Sequence, residues 1–80
     1  MTIRLTIEDV ICEARRQVKV YGPLKNHNPY TWATILAKRV NKYTRAVLED
    51  SNRQMREEAV RIAAFALQIV EALDKKRSTT

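Results

Sequence analysis

Eighty residues suffice for one domain but hide only a modest fraction of their surface, so a core of this size needs reinforcement. A single cysteine excludes an intrachain disulfide, and no Cys/His set has zinc spacing. Fifteen Lys and Arg against nine Asp and Glu give a formal charge of +6, which favours anionic partners without fixing which, while 6% aromatics argue against stacking platforms for single strands.

Self-association, as a homodimer or a higher homo-oligomer, is the expected reinforcement. The opening "MTIRLTIEDVICEARR" carries charge every few residues and lacks the apolar run of a signal peptide. Nowhere do 18 apolar residues follow one another, so no membrane span and no membrane partner are expected, and a cytoplasmic protein is the default. Bases separate from acids in two places: residues 38 to 45 hold four bases and no acid, and "DKKRSTT" is basic.

The one glycine and both prolines fall in "YGPLKNHNP", which divides the chain into helices rather than strands. The first helix is expected from Thr6, with Asp9 completing a box-like cap. Ile7, Ile11, Ala14 and Val18 recur at helical spacing beside Val10 and Tyr21, a buried stripe on a charged helix that stops at Gly22-Pro23. Cys12, next to Ile11, reads as a small core residue, and His27 as a loop or interface residue, with Asn26, Asn28 and Tyr30 as loop contacts.

Asn28 followed by Pro29 is a good helix start. The second helix is expected to about Glu49, anchored by Trp32, with Leu36, Val40, Tyr43 and Val47 in register. At 100° per residue from Leu36, Arg39 lies about 60° away and Lys42 about 120° away on the same side. Arg39 should therefore border the core and Lys42 follow it round. Lys38, nearly opposite Leu36, should be exposed and point elsewhere.

Ser51 with Gln54 makes a capping box for a third helix to about Lys76, with Asp50 as the alternative cap. Met55, Ala59, Ile62, Ala66, Ile69 and Leu73 form its stripe, and Ala63, Leu67 and Val70 broaden it. Two sides of this helix then need cover, more than one chain supplies, which again points to a partner subunit. The expectation is one helical domain over residues 1–76 and a basic tail at 77–80.

Glu58 lies about 40° from Ile62, near the stripe centre, and a carboxylate there needs a cation, donors or a metal. Arg39 and Arg61 are its candidate partners. The same side chains suit either a structural salt-bridge network or an anion site; converging cations repel a divalent ion, so no metal site is expected.

Three segments together resemble the MazG-like all-α nucleoside triphosphate pyrophosphohydrolases, especially the short phage and bacterial members. They are "EARRQ" at Glu13 to Gln17, "TWATILAKRVNKYTRAVLE" and "REEAVRIAAFALQIVEAL", spanning roughly residues 7 to 73. The resemblance implies an all-α fold of three main antiparallel helices that assemble through an oligomer into a helical bundle. It also implies magnesium held by two acidic motifs, ExxE and ExxD, with a further glutamate ahead of the first, for release of pyrophosphate from a nucleoside triphosphate.

Laid on this chain, the leading glutamate falls at Lys38, the first motif at Arg39 and Lys42, and the second at Glu58 and Arg61, with Asn41 at the usual glycine. Only Glu58 keeps its acid. Each reversal changes the formal charge by two, so the same chain with four acids there would carry −2 rather than +6. The expectation is therefore a charge-inverted protein without a cofactor: a degenerate member, or pseudoenzyme, acting as an oligomeric structural or interaction module. Its alternatives are metal-free binding of a nucleotide, a phosphate or a nucleic-acid backbone by Arg39, Lys42 and Arg61, and residual hydrolysis with Glu58 as the surviving catalytic candidate. Glu13, Arg16 and Gln17 match the family's first helix as supporting residues, and Trp32 could line a base pocket. Small size and the phage-type resemblance suggest a phage or mobile-element origin.

Overall fold

The computed structural model describes residues 3–78, without the side chains of Asn26 and of residues 76–78. The described residues form three helices, α1 (Ile3–Tyr21), α2 (Pro29–Leu48) and α3 (Asn52–Ser78), with a 3₁₀ turn at Leu24–Asn26. The fold is all-α, and no strand occurs among the described residues.

The punctuation works largely as the sequence suggests. Gly22 takes φ +82° and donates its N–H to the Val18 carbonyl at 2.8 Å, closing α1 in the left-handed conformation glycine adopts without strain. Asn28 Oδ1 accepts from the Thr31 N–H at 2.9 Å, and Pro29 occupies the first turn of α2. Between α2 and α3, Ser51 N–H reaches the Ala46 carbonyl at 3.1 Å and Asp50 N–H the Val47 carbonyl at 3.0 Å. That pair of bonds is a Schellman ending with Asp50 at φ +54°, where glycine is more usual. Ser51 Oγ then accepts from Gln54 N–H at 3.2 Å, so Ser51, not Asp50, caps α3.

Two boundaries move. The first helix begins at Ile3 rather than Thr6, so the Thr6–Asp9 box lies inside it, and Asp9 instead pairs with Arg56 on α3 at 2.7 Å. At the other end α3 runs through Ser78, past the expected limit at residue 76, so the start of the proposed basic tail is helical. Met1, Thr2, Thr79 and Thr80 lie outside the described residues.

Successive helices reverse direction, so α2 is antiparallel to α3 while α1 runs parallel to it. Asp9 meets Arg56 and Gln17 meets Gln68 in the same order along both helices. Both α1 and α2 pack chiefly on α3, which is the spine of the molecule. The apolar core is small: Leu24, Trp32 and Phe65, with Ile35, Leu36, Ile69 and Ala72 packed around them.

This core corrects the expected stripes. On α1 the buried residues are Ala14 and Gln17, whereas Ile7, Ile11, Val18 and Tyr21 are exposed, as is Cys12. On α2 Trp32 and Ala46 are buried, while Val40, Tyr43 and Val47 are exposed. On α3 the buried set is Ala64, Phe65 and Gln68; Ala63, Ala66, Leu67, Val70 and Leu73 face outward. The polar Gln17 and Gln68 hide the true packing lines from an apolar count. Of the expected stripes Ala14, Leu36 and Ile69 pack inward, whereas much of the remainder stays exposed in the single chain.

Candidate functional site

The helix pairs α1–α3 and α2–α3 leave a cleft of about 400 Å³ between the C-terminal end of α1 and the face of α2. Leu24, Ile35 and Phe65 give it an apolar floor, and Lys38, Arg39 and Lys42 line it from α2. Gln17, Gln68 and His27 also reach it. The sequence placed Lys38 elsewhere; it is exposed as expected, yet it lines this cleft together with Arg39 and Lys42. The reason is the register of α2, whose packing line runs through Trp32, Ile35, Leu36 and Arg39, bringing Lys38 and Lys42 to the rim on one side.

Arg39 is half-buried and borders the core as its phase required. Its guanidinium carbon stands 5.7 Å from the centre of the Phe65 ring, a cation–π contact. Its Nε is buried and has no hydrogen-bond partner. Among the described residues Lys38 and Lys42 form no ion pair, and the cleft gathers three positive side chains on two turns of one helix with no acid among its lining residues. Like charges four residues apart, as Lys38 and Lys42 are, repel by a few tenths of a kcal/mol.

Arg61 is not among the cleft's lining residues. Its Nη1 donates to Glu58 Oε2 at 2.9 Å, an ion pair within one turn of α3. The Glu58 side chain is 14% exposed, and its Oε1 is buried without a partner. Among the described residues the expected link from Arg39 to Glu58 does not occur as a hydrogen bond or ion pair, and the partner of that carboxylate is Arg61.

Glu13, Arg16 and Gln17 form a second, connected group. Arg16 holds Glu13 through both Nε (2.9 Å) and Nη2 (2.7 Å), and Gln17 Nε2 donates to the same carboxylate at 2.9 Å. The Arg16 guanidinium holds the Glu13 carboxyl below its ordinary 4.5, against the opposing effect of burial, with help from Gln17 and the charge of Arg61. Gln17 passes the network to α3: Nε2 donates to the Arg61 carbonyl at 3.3 Å, and Oε1 accepts from Gln68 Nε2 at 2.6 Å. Gln68 and Phe65, which together floor the cleft and tie it to α1, were not legible in the sequence. The signal was present as Arg61, Ala64, Phe65, Gln68 and Ala72, a helical line interrupted by polar types.

Trp32 does not line the cleft directly; its indole Nε1 donates to the Leu24 carbonyl at 3.0 Å and fixes the 3₁₀ turn that forms one edge. Magnesium, which the family resemblance implies, does not suit this donor set. Of the positions expected to carry acids only Glu58 does, and Arg61 already occupies one of its oxygens. Among the described residues no three His, Cys, Asp or Glu side chains converge as ligands.

The fold and site thus define a three-helix, all-α protein with an uncompensated basic cleft. No protein-family model, curated protein or solved structure matches the chain. No described helix is long and apolar enough to cross a membrane.

Proposed function

We propose that this chain is a MazG-like helical protomer that has lost metal-dependent nucleotide hydrolysis and acts as a homo-oligomeric structural or interaction module. The observation that carries the reading is surface left over. The chain exposes 6329 Å², whereas a compact monomer of 9.3 kDa exposes about 5,000 Å². The excess of about 1,300 Å² is more than the roughly 800 Å² each partner gives up in a standard interface.

That excess has a chemical address. Ile7, Val10 and Ile11 of α1 and Ala63, Ala66, Leu67 and Val70 of α3 line an open groove on the outside of the spine. A second copy of the chain is the occupant this area and composition suit: the groove has helical spacing on both walls and small residues that admit a close helix. The radius of gyration, 13.6 Å, against about 12 Å for a compact chain of this length, supports the same incomplete shape. The charge-inverted positions support the loss of hydrolysis.

A panel of nucleoside triphosphates with magnesium and with EDTA tests the chemical half of the proposal. No pyrophosphate should be released in either buffer. Turnover that EDTA abolishes would overturn the loss of the metal site, and turnover that Glu58→Gln abolishes would reinstate the residual enzyme.

A further inference from the structure

The basic cleft is not explained by self-association. Taking Phe65 as zero and 100° per residue, the outward apolar residues of α3 lie between about 80° and 200° round the helix. The cleft therefore opens on a different side of α3 from the face proposed to meet a second copy.

Three features of the cleft point to a ligand. Its volume, about 400 Å³, falls in the range of small-molecule sites. Lys38, Arg39 and Lys42 gather there without a carboxylate, an arrangement an anion relieves. Arg39 also carries a buried Nε with no acceptor, beside the Phe65 ring. A buried donor left unmade is costly, and an acceptor brought by a ligand removes that cost.

We propose that the cleft binds a small organic phosphate without metal. Its anionic head is held by Lys38, Arg39 and Lys42, and an aromatic or apolar body lies over Leu24, Ile35 and Phe65. The cations require a head of at least one full negative charge, and a dianion answers them best. The apolar floor requires more than a bare ion. Gln17 and Gln68, already committed to each other at 2.6 Å, keep the inner wall in place. A cleft of this size takes one ring and its phosphate, not a length of nucleic-acid backbone.

Phenyl phosphate is a suitable probe, followed by calorimetry and by the fluorescence of Trp32, whose indole is bonded to the Leu24 carbonyl at the cleft edge. It should bind about tenfold or more tightly than inorganic phosphate, and phenol should not bind. The double variant Lys38→Gln/Lys42→Gln changes only exposed side chains and should keep its helical content while losing about tenfold or more in affinity. Equal binding of phosphate and phenyl phosphate would overturn the proposal, as would affinity unchanged in the folded double variant or no binding at all. A single-stranded oligonucleotide that binds with length-dependent affinity and displaces the probe would replace it with backbone recognition.

Discussion

Gln68 donates its side-chain amide to Gln17 Oε1 at 2.6 Å, so α3 is joined to the C-terminal half of α1 by a buried pair of glutamines. Gln17 is 2% exposed and Gln68 7%. Replacing Gln17 alone with Leu takes from the Gln68 amide its 2.6 Å acceptor, leaving it the Ala64 carbonyl at 3.4 Å, and takes a donor from the Glu13 carboxylate. That variant should lose about 1–3 kcal/mol in urea unfolding. Gln17→Leu/Gln68→Leu should lose less than the sum of the single changes; strict additivity would show that the pair does not act as a unit.

Glu13 makes part of the stability depend on pH. Its folded carboxyl titrates below its ordinary 4.5 because Arg16 grips the charged form. The resulting contribution is fully present above that value and is lost as pH falls through the lower, folded one. The thermal stability of the wild type should therefore fall more steeply than that of Glu13→Gln as pH drops below the ordinary carboxyl value. Parallel profiles for the two proteins would remove Glu13 from the account.

The turn between α2 and α3 rests on Asp50 at φ +54°. Asp tolerates this region through its short polar side chain; a β-branched residue does not. Asp50→Val should cost about 1–2 kcal/mol and Asp50→Gly should cost nothing. Equal stability of the Val and Gly variants would show that the turn relaxes instead of holding its left-handed residue.

Trp32 holds the cleft edge through one buried hydrogen bond to the Leu24 carbonyl. Trp32→Phe keeps an aromatic ring in the core and removes the indole donor, while the His27 N–H still bonds the Leu24 carbonyl at 2.9 Å, so it should lose about 0.5–1.5 kcal/mol. Exchange of the His27 amide, which closes the turn on the Leu24 carbonyl, should quicken at the same time. Slow exchange there in the variant would mean that the turn is fixed by something other than the indole.

The sequence was most readable where local backbone chemistry decides the outcome. Gly22, Asn28-Pro29 and Ser51 mark helix ends through caps that involve only neighbouring residues. Arg39 was also legible, since its phase on α2 follows from spacing alone. The packing faces were not. Val40, Tyr43, Val47, Leu67 and Val70 repeat as core residues do, yet the single chain leaves them exposed. Burial depends on which helix lies opposite, and Gln17 and Gln68 take positions an apolar count assigns to other residues. Lys38 entered the cleft for the same reason: its angle from Leu36 was sound, but the packing line runs nearer Arg39.

The outward apolar groove of α1 and α3 is the face proposed to meet a second copy. Sedimentation equilibrium of the wild type and of Leu67→Glu, each in magnesium and in EDTA, measures this. Leu67 is 45% exposed, so the charge is tolerated by a free protomer and not by a buried interface. The wild type should sediment as a dimer or larger in both buffers, and Leu67→Glu should shift towards the 9.3 kDa protomer. A wild type that remains a 9.3 kDa monomer at high protein concentration, or an assembly that Leu67→Glu leaves intact, would contradict it.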